Sequence, residues 1–60
     1  MNKFIQLTVK NEKRYFNVAN IVFIRAEWNG KAIISMSDGY FYEVEEDLNT
    51  VLKMIGVKGA

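Results

Sequence analysis

Residues 21–44, IVFIRAEWNGKAIISMSDGYFYEV, contain two glycine-bearing reversals, Asn29-Gly30 and Asp38-Gly39, on either side of a strand-like segment. Asn-Gly and Asp-Gly are the pairs that two-residue hairpins require, because both central positions of the tight turn need positive φ. Residues flanking such a turn stand opposite each other and share a face. Pairing Trp28 with Lys31 and Ser37 with Tyr40 therefore sorts three strands at once. One face is expected to carry Ile21, Phe23, Arg25, Glu27, Ala32, Ile34, Met36, Phe41 and Glu43. The other is expected to carry Val22, Ile24, Ala26, Trp28, Lys31, Ile33, Ser35, Ser37, Tyr40, Tyr42 and Val44.

Upstream, Ile5, Leu7 and Val9 alternate with Gln6, Thr8 and Lys10, the period of a half-buried strand. Asn11-Glu12-Lys13 reads as a polar turn, residues 14–18 as a second strand, and Ala19-Asn20 as a corner before the strand at 21–28. Downstream the period changes. Leu48, Val51, Leu52 and Ile55 follow the i, i+3, i+4, i+7 stripe of an amphipathic helix. Asp47 suits its N-cap, Lys53 its last turn and Gly56 its left-handed stop, and the tail 57–60 is expected to fray. The order predicts a mainly β, α+β fold: a five-stranded antiparallel meander with one C-terminal helix packed on one face. Residues 1–60 form a single small domain, with an ordered core expected at about 3–56.

A chain of 60 residues buries only about 60% of its unfolded surface, so small domains of this kind usually draw on disulfides, metals or partners. Cysteine and histidine are both absent. Disulfides and the common zinc and copper ligand sets are thereby excluded, which leaves association as the remaining aid and fits a cytoplasmic setting. No apolar run approaches a membrane span and no leader pattern opens the chain, so no membrane partner is expected.

Catalysis finds little support. Without histidine or cysteine there is no base to activate Ser35 or Ser37, and no glycine-rich phosphate loop is present. Glu45, Glu46 and Asp47 lie at a strand-to-helix junction, where acids stabilise a helix start. No enzyme activity, cofactor or metal is expected.

The charges are unevenly spread. Up to Ser37 the chain is mainly basic, and from Asp38 to Asp47 it is acidic, although the net charge is only +1. A helix of ten residues is about 15 Å long, whereas five strands span about 24 Å, so one face is left largely uncovered. Assigning the helix to the face with Phe23, Ile34, Met36 and Phe41 leaves Ile24, Trp28, Ile33, Tyr40 and Tyr42 as the candidate interface. Two alternatives stand beside it. A strongly curved sheet can close into a small barrel that buries these residues in the monomer. The same rings, with Lys13, Arg14 and Lys31, also form a candidate nucleic-acid surface.

The segments Ile5-Gln6-Leu7-Thr8, Asn17, Ile21 with Ile24, Ser37-Asp38-Gly39, and Val44-Glu45-Glu46 leading to Val51 and Ile55 resemble the FlbD-like (swarming motility) family of small bacterial β-sheet proteins. Residues 18–52, notably Ile24-Arg25-Ala26-Glu27 with Asp38-Gly39 and the Leu48 helix, are also similar to the first half of a LytTR-type DNA-binding domain. That likeness does not reach the half that carries the base-contacting segment, and neither family supplies catalytic residues. The reading that results is a non-enzymatic bacterial or phage-borne regulator or adaptor acting by protein–protein contact as a homo-oligomer. Its partners are itself or another protein, and the alternative is a nucleic-acid-binding transcriptional regulator.

Overall fold

The described residues form five antiparallel strands and one C-terminal helix, a mainly β, α+β fold of the class expected from the sequence. The computed structural model describes residues 3–57, and the expected fraying of residues 58–60 lies outside the described residues. The strands are β1 (Phe4–Val9), β2 (Glu12–Asn17), β3 (Ile21–Ala26), β4 (Lys31–Met36) and β5 (Phe41–Asp47), followed by α1 (Leu48–Ile55). A short 3-10 turn, Val18–Asn20, links β2 to β3. The hydrogen-bonded ladder is divided into a β1-β2 hairpin and a three-stranded sheet ordered β3-β4-β5.

The first reversal is tighter than its composition suggests. Lys10 and Asn11 alone occupy it, with φ of 51° and 66°, and Val9 pairs with Glu12. This is the doubly left-handed turn of a two-residue hairpin, so the strand resumes at Glu12 and the expected Asn11-Glu12-Lys13 turn is corrected. Asparagine tolerates this backbone region; lysine does so only because the pairing on both sides holds it there.

The two glycine reversals behave in the opposite way. Gly30 and Gly39 have φ of 87° and 93°, whereas Asn29 and Asp38 stay out of the left-handed region. Gly30 N–H donates to Glu27 O at 2.9 Å and Glu27 N–H to Lys31 O at 2.8 Å; Gly39 N–H donates to Met36 O at 3.0 Å and Met36 N–H to Tyr40 O at 2.9 Å. Each loop therefore holds three residues, a turn closed by a left-handed glycine. The side chains of Asn29 and Asp38 accept from Lys31 N–H and Tyr40 N–H, both at 3.0 Å, and this local bond favours the longer loop.

One extra residue in each loop shifts the pairing, and a shift of one exchanges faces. Ile34 stands opposite Ile24 and Tyr42, and Ser35 opposite Phe23 and Phe41. The expected pairs Trp28 with Lys31 and Ser37 with Tyr40 are thus replaced, and Phe23 and Phe41 leave the helix side. An irregularity between Ile21 and Phe23 then brings Ile21, like Ile24, against the core.

The core is built from both sheets and the helix. Ile5, Leu7, Val9 and Phe16 of the hairpin meet Ala32, Ile34 and Val44 of the larger sheet and Val51 of α1. The hairpin thus acts as a second layer beside the helix, which is how a helix of only two turns suffices. Between the pairs Ile33/Glu43 and Lys31/Asp47, β5 has two residues more than β4 and swings toward β1. There Glu46 accepts from the backbone N–H and the hydroxyl of Thr8, each at 3.0 Å. A single carboxylate joins two sheets that share no ladder.

The helix signals act as the sequence implies. Asp47 caps the N-terminus, accepting from Thr50 N–H at 2.8 Å. Hydrogen bonding by Thr50, its side chain first and then its backbone N–H, holds the Asp47 carboxyl below its usual range, so the contribution is complete above that range and lost as pH falls through the lowered value. At the other end Gly56, φ 98°, closes the helix. Gly56 N–H donates to Lys53 O at 3.1 Å and Val57 N–H to Leu52 O at 3.0 Å, so Val57 belongs to the cap.

Nothing lies near the position a Cβ would take at Gly30 or Gly39, so only their backbone conformation resists substitution. Gly30→Ala and Gly39→Ala are each expected to lose about 1–2 kcal/mol in urea unfolding; a neutral Gly39→Ala would refute the three-residue loop. Glu46→Ala strands the Thr8 N–H and should lose about 1–3 kcal/mol, whereas Glu45→Ala on the exposed side should change stability little.

Candidate interaction surface

β4 is the central strand of the larger sheet, so the outer face of that sheet is read across it. Ser35 lies buried between its neighbours Phe23 and Phe41, and the two rings meet edge to face with centroids 6.1 Å apart. A small side chain on the middle strand lets two large ones converge above it. Both phenylalanines nevertheless remain exposed, Phe23 at 46% and Phe41 at 62%. Further along the same face, Ile33 stands opposite Arg25 and Glu43, where apolar surface gives way to charge. Neither phenylalanine is among the residues that the sequence reading assigned to an interface; the shifted register placed them there.

The expected interface residues are dispersed. Trp28, in the β3-β4 loop, is 95% exposed, and Tyr40, beside the β4-β5 loop, is 65% exposed. Ile33 is half-buried on the outer face, while Ile24 and Tyr42 pack against the core. Tyr42 crosses Phe16 edge to face at 5.3 Å and 74°. The barrel alternative, in which the monomer buries all three rings, holds only in part for Tyr42. Trp28 and Tyr40 sit at opposite ends of the sheet, each beside a hairpin loop. The five residues thus share no surface.

A second apolar feature borders the free edge of β3. Between that strand and the C-terminal half of α1 runs an open groove of about 290 Å³ lined by Val18, Ile21, Val22, Leu52, Ile55 and Val57 among others. Val22 is 62% exposed on its lip. No sequence signal marks this groove, because it depends on how the helix end lies against β3.

The cations proposed for nucleic acid are mostly engaged. Arg14 donates from Nε to Glu12 at 2.7 Å, and Lys31 from Nζ to Glu45 at 2.9 Å. The hydrogen bond and charge of Glu45 raise the Lys31 ammonium above its ordinary value of 10.5. Lys13 projects from the other side of the hairpin, opposite Thr8. Arg25 binds Glu27 at 2.9 Å. A cation already paired with a carboxylate neutralises a phosphate less effectively and so displaces fewer of the counterions condensed on a nucleic acid.

Among the described residues, no cluster of acids has the spacing of a metal site, and every buried side-chain polar atom has a hydrogen-bond partner. No described helix is long and apolar enough to cross a membrane. Comparison with protein-family models, curated proteins and solved structures finds no match.

The Lys31–Glu45 pair has a definite pH signature. A raised ammonium contributes fully below 10.5 and loses its contribution as pH climbs through the raised value. In an NMR titration of the lysine side chains, Glu45→Gln should bring Lys31 back toward 10.5; an unchanged midpoint would show that the pair does not form in solution.

Proposed function

We propose that this chain is a small non-enzymatic regulator or adaptor that works by protein–protein contact and associates with itself. The observation that carries the reading is the exposed apolar surface: the Phe23–Phe41 pair, Trp28, and the groove beside β3. Exposed patches of this kind on a small chain mark contact sites more often than idle surface. Tryptophan in particular is concentrated among the residues that dominate binding energy. A bacterial or phage-borne origin is supported by the likeness of the strand and turn residues to the FlbD-like family. The nucleic-acid alternative is weaker, because Arg14 and Lys31 already hold carboxylates.

Sedimentation at tens of micromolar is expected to show an oligomer, and titration with short single- and double-stranded oligonucleotides at low salt is expected to be flat. A monomer that binds no protein would overturn the proposal. Tight binding that weakens steeply with salt would transfer the function to the nucleic-acid reading.

A further inference from the structure

Among the described strands only β4 is paired on both sides; the edges of the other four are not equivalent, and those of β1 and β5 face each other. β2 pairs only with β1 and begins Glu12-Lys13-Arg14, a charged edge of the kind that deters pairing. β5 leans on β1 through Val44 and Glu46. β3 pairs only with β4, and its sequence, Ile21 to Ala26, carries a single charge, on Arg25.

Ladder bonds alternate along an antiparallel pair. Since Glu27 N–H donates to Lys31 O, Arg25 turns its backbone groups toward β4, and Ile24 and Ala26 turn theirs toward the open edge. The irregularity between Ile21 and Phe23 breaks this alternation further back, so only a short stretch around Ile24 can accept another strand. A short ladder alone is a poor dimer.

The two apolar features bordering this edge supply the remainder. Trp28 protrudes beyond one end of β3, and the groove of about 290 Å³ opens at the other, between Val18, Ile21 and Val22 on one side and Leu52, Ile55 and Val57 on the other. A two-fold axis through Ile24 pairs β3 with its own copy. Close to the axis it sets each residue against the one equally far on the opposite side of Ile24, and Trp28, beyond the end of β3, is carried toward the mouth of the other's groove. The same operation sets Phe23 against Arg25 of the other copy on the outer face, a ring beside a guanidinium. A protrusion and a hollow on one edge thus become reciprocal contacts, as an isologous interface requires.

We propose that a second copy of this chain docks antiparallel along β3, with its Trp28 seated in the groove between β3 and α1. The proposal rests on the self-association reading and specifies its geometry. Seating Trp28 removes roughly 200 Å² of ring surface per protomer. With the surface of the groove and of the strand edge added, the pair comes to roughly 1,200 Å² in total, the lower bound of a specific stable interface. So small an interface depends on its anchor, and Trp28 is the chain's sole tryptophan.

The test combines sedimentation equilibrium with the emission of that tryptophan. The wild-type chain is expected to dimerise, with a blue-shifted emission protected from a soluble quencher at high concentration and exposed on dilution. Trp28→Ala, on an exposed loop and harmless to the fold, should weaken the dimer at least 100-fold, as should Val22→Asp on the lip of the groove. Ile24→Cys should give a disulfide-linked dimer on mild oxidation, since only the residue on the axis meets its own copy. An oligomer that keeps its strength in Trp28→Ala, or whose tryptophan stays exposed, overturns this geometry and leaves self-association standing. A wild-type monomer at high concentration overturns both.

Discussion

A left-handed glycine at the end of each three-residue loop governs the register of three strands, and nearly everything else in the molecule depends on that register. Gly30 and Gly39 take positive φ while Asn29 and Asp38 do not. The loops therefore contain one residue more than the two-residue turns their composition also permits. Because side chains alternate strictly along a strand, that single residue decides which residues of β3 and β5 share a face with Ile34. Ile24, Tyr42 and Val44 join the core, and Phe23 and Phe41 are left outside.

The core that results is thin and needs contributions from every element. The largest fully enclosed side chains are Leu7, Ile34, Val44 and Val51, one each from β1, β4, β5 and α1. No ladder joins the hairpin to the larger sheet; the bend in β5, the bonds from Thr8 to Glu46 and the helix hold the layers together. In a chain of this size, the side chains that cannot fit inside such a core stay on the surface in quantity. The exposed Phe23–Phe41 pair, Trp28 and the groove beside β3 follow from that limit, and they are the physical basis for reading the protein as one that acts by contact.

Charge points the same way. Three cations are held by carboxylates: Arg14 by Glu12 and Arg25 by Glu27 locally within the basic half, and Lys31 by Glu45 across to the acidic stretch. What remains distinctive on the surface is apolar. A strand edge bordered by a protruding ring and a hollow is well suited to another copy of itself, since a two-fold axis makes each the other's complement.

Five strands, one helix, its cap at Asp47 and its stop at Gly56 were legible along the chain, because each rests on a local cause: the alternation of Ile5, Leu7 and Val9, the stripe of Leu48, Val51, Leu52 and Ile55, and the backbone freedom of glycine. Loop length was not legible. Asn-Gly and Asp-Gly suit both two- and three-residue reversals, and Lys10-Asn11 does not announce the doubly left-handed turn it forms. The choice rests on which face can be buried against the hairpin and helix, a quantity that exists only once distant segments meet. The sequence by itself determined the kinds of element and where most of them end; only the tertiary structure decided which aromatic rings lie inside and which face water.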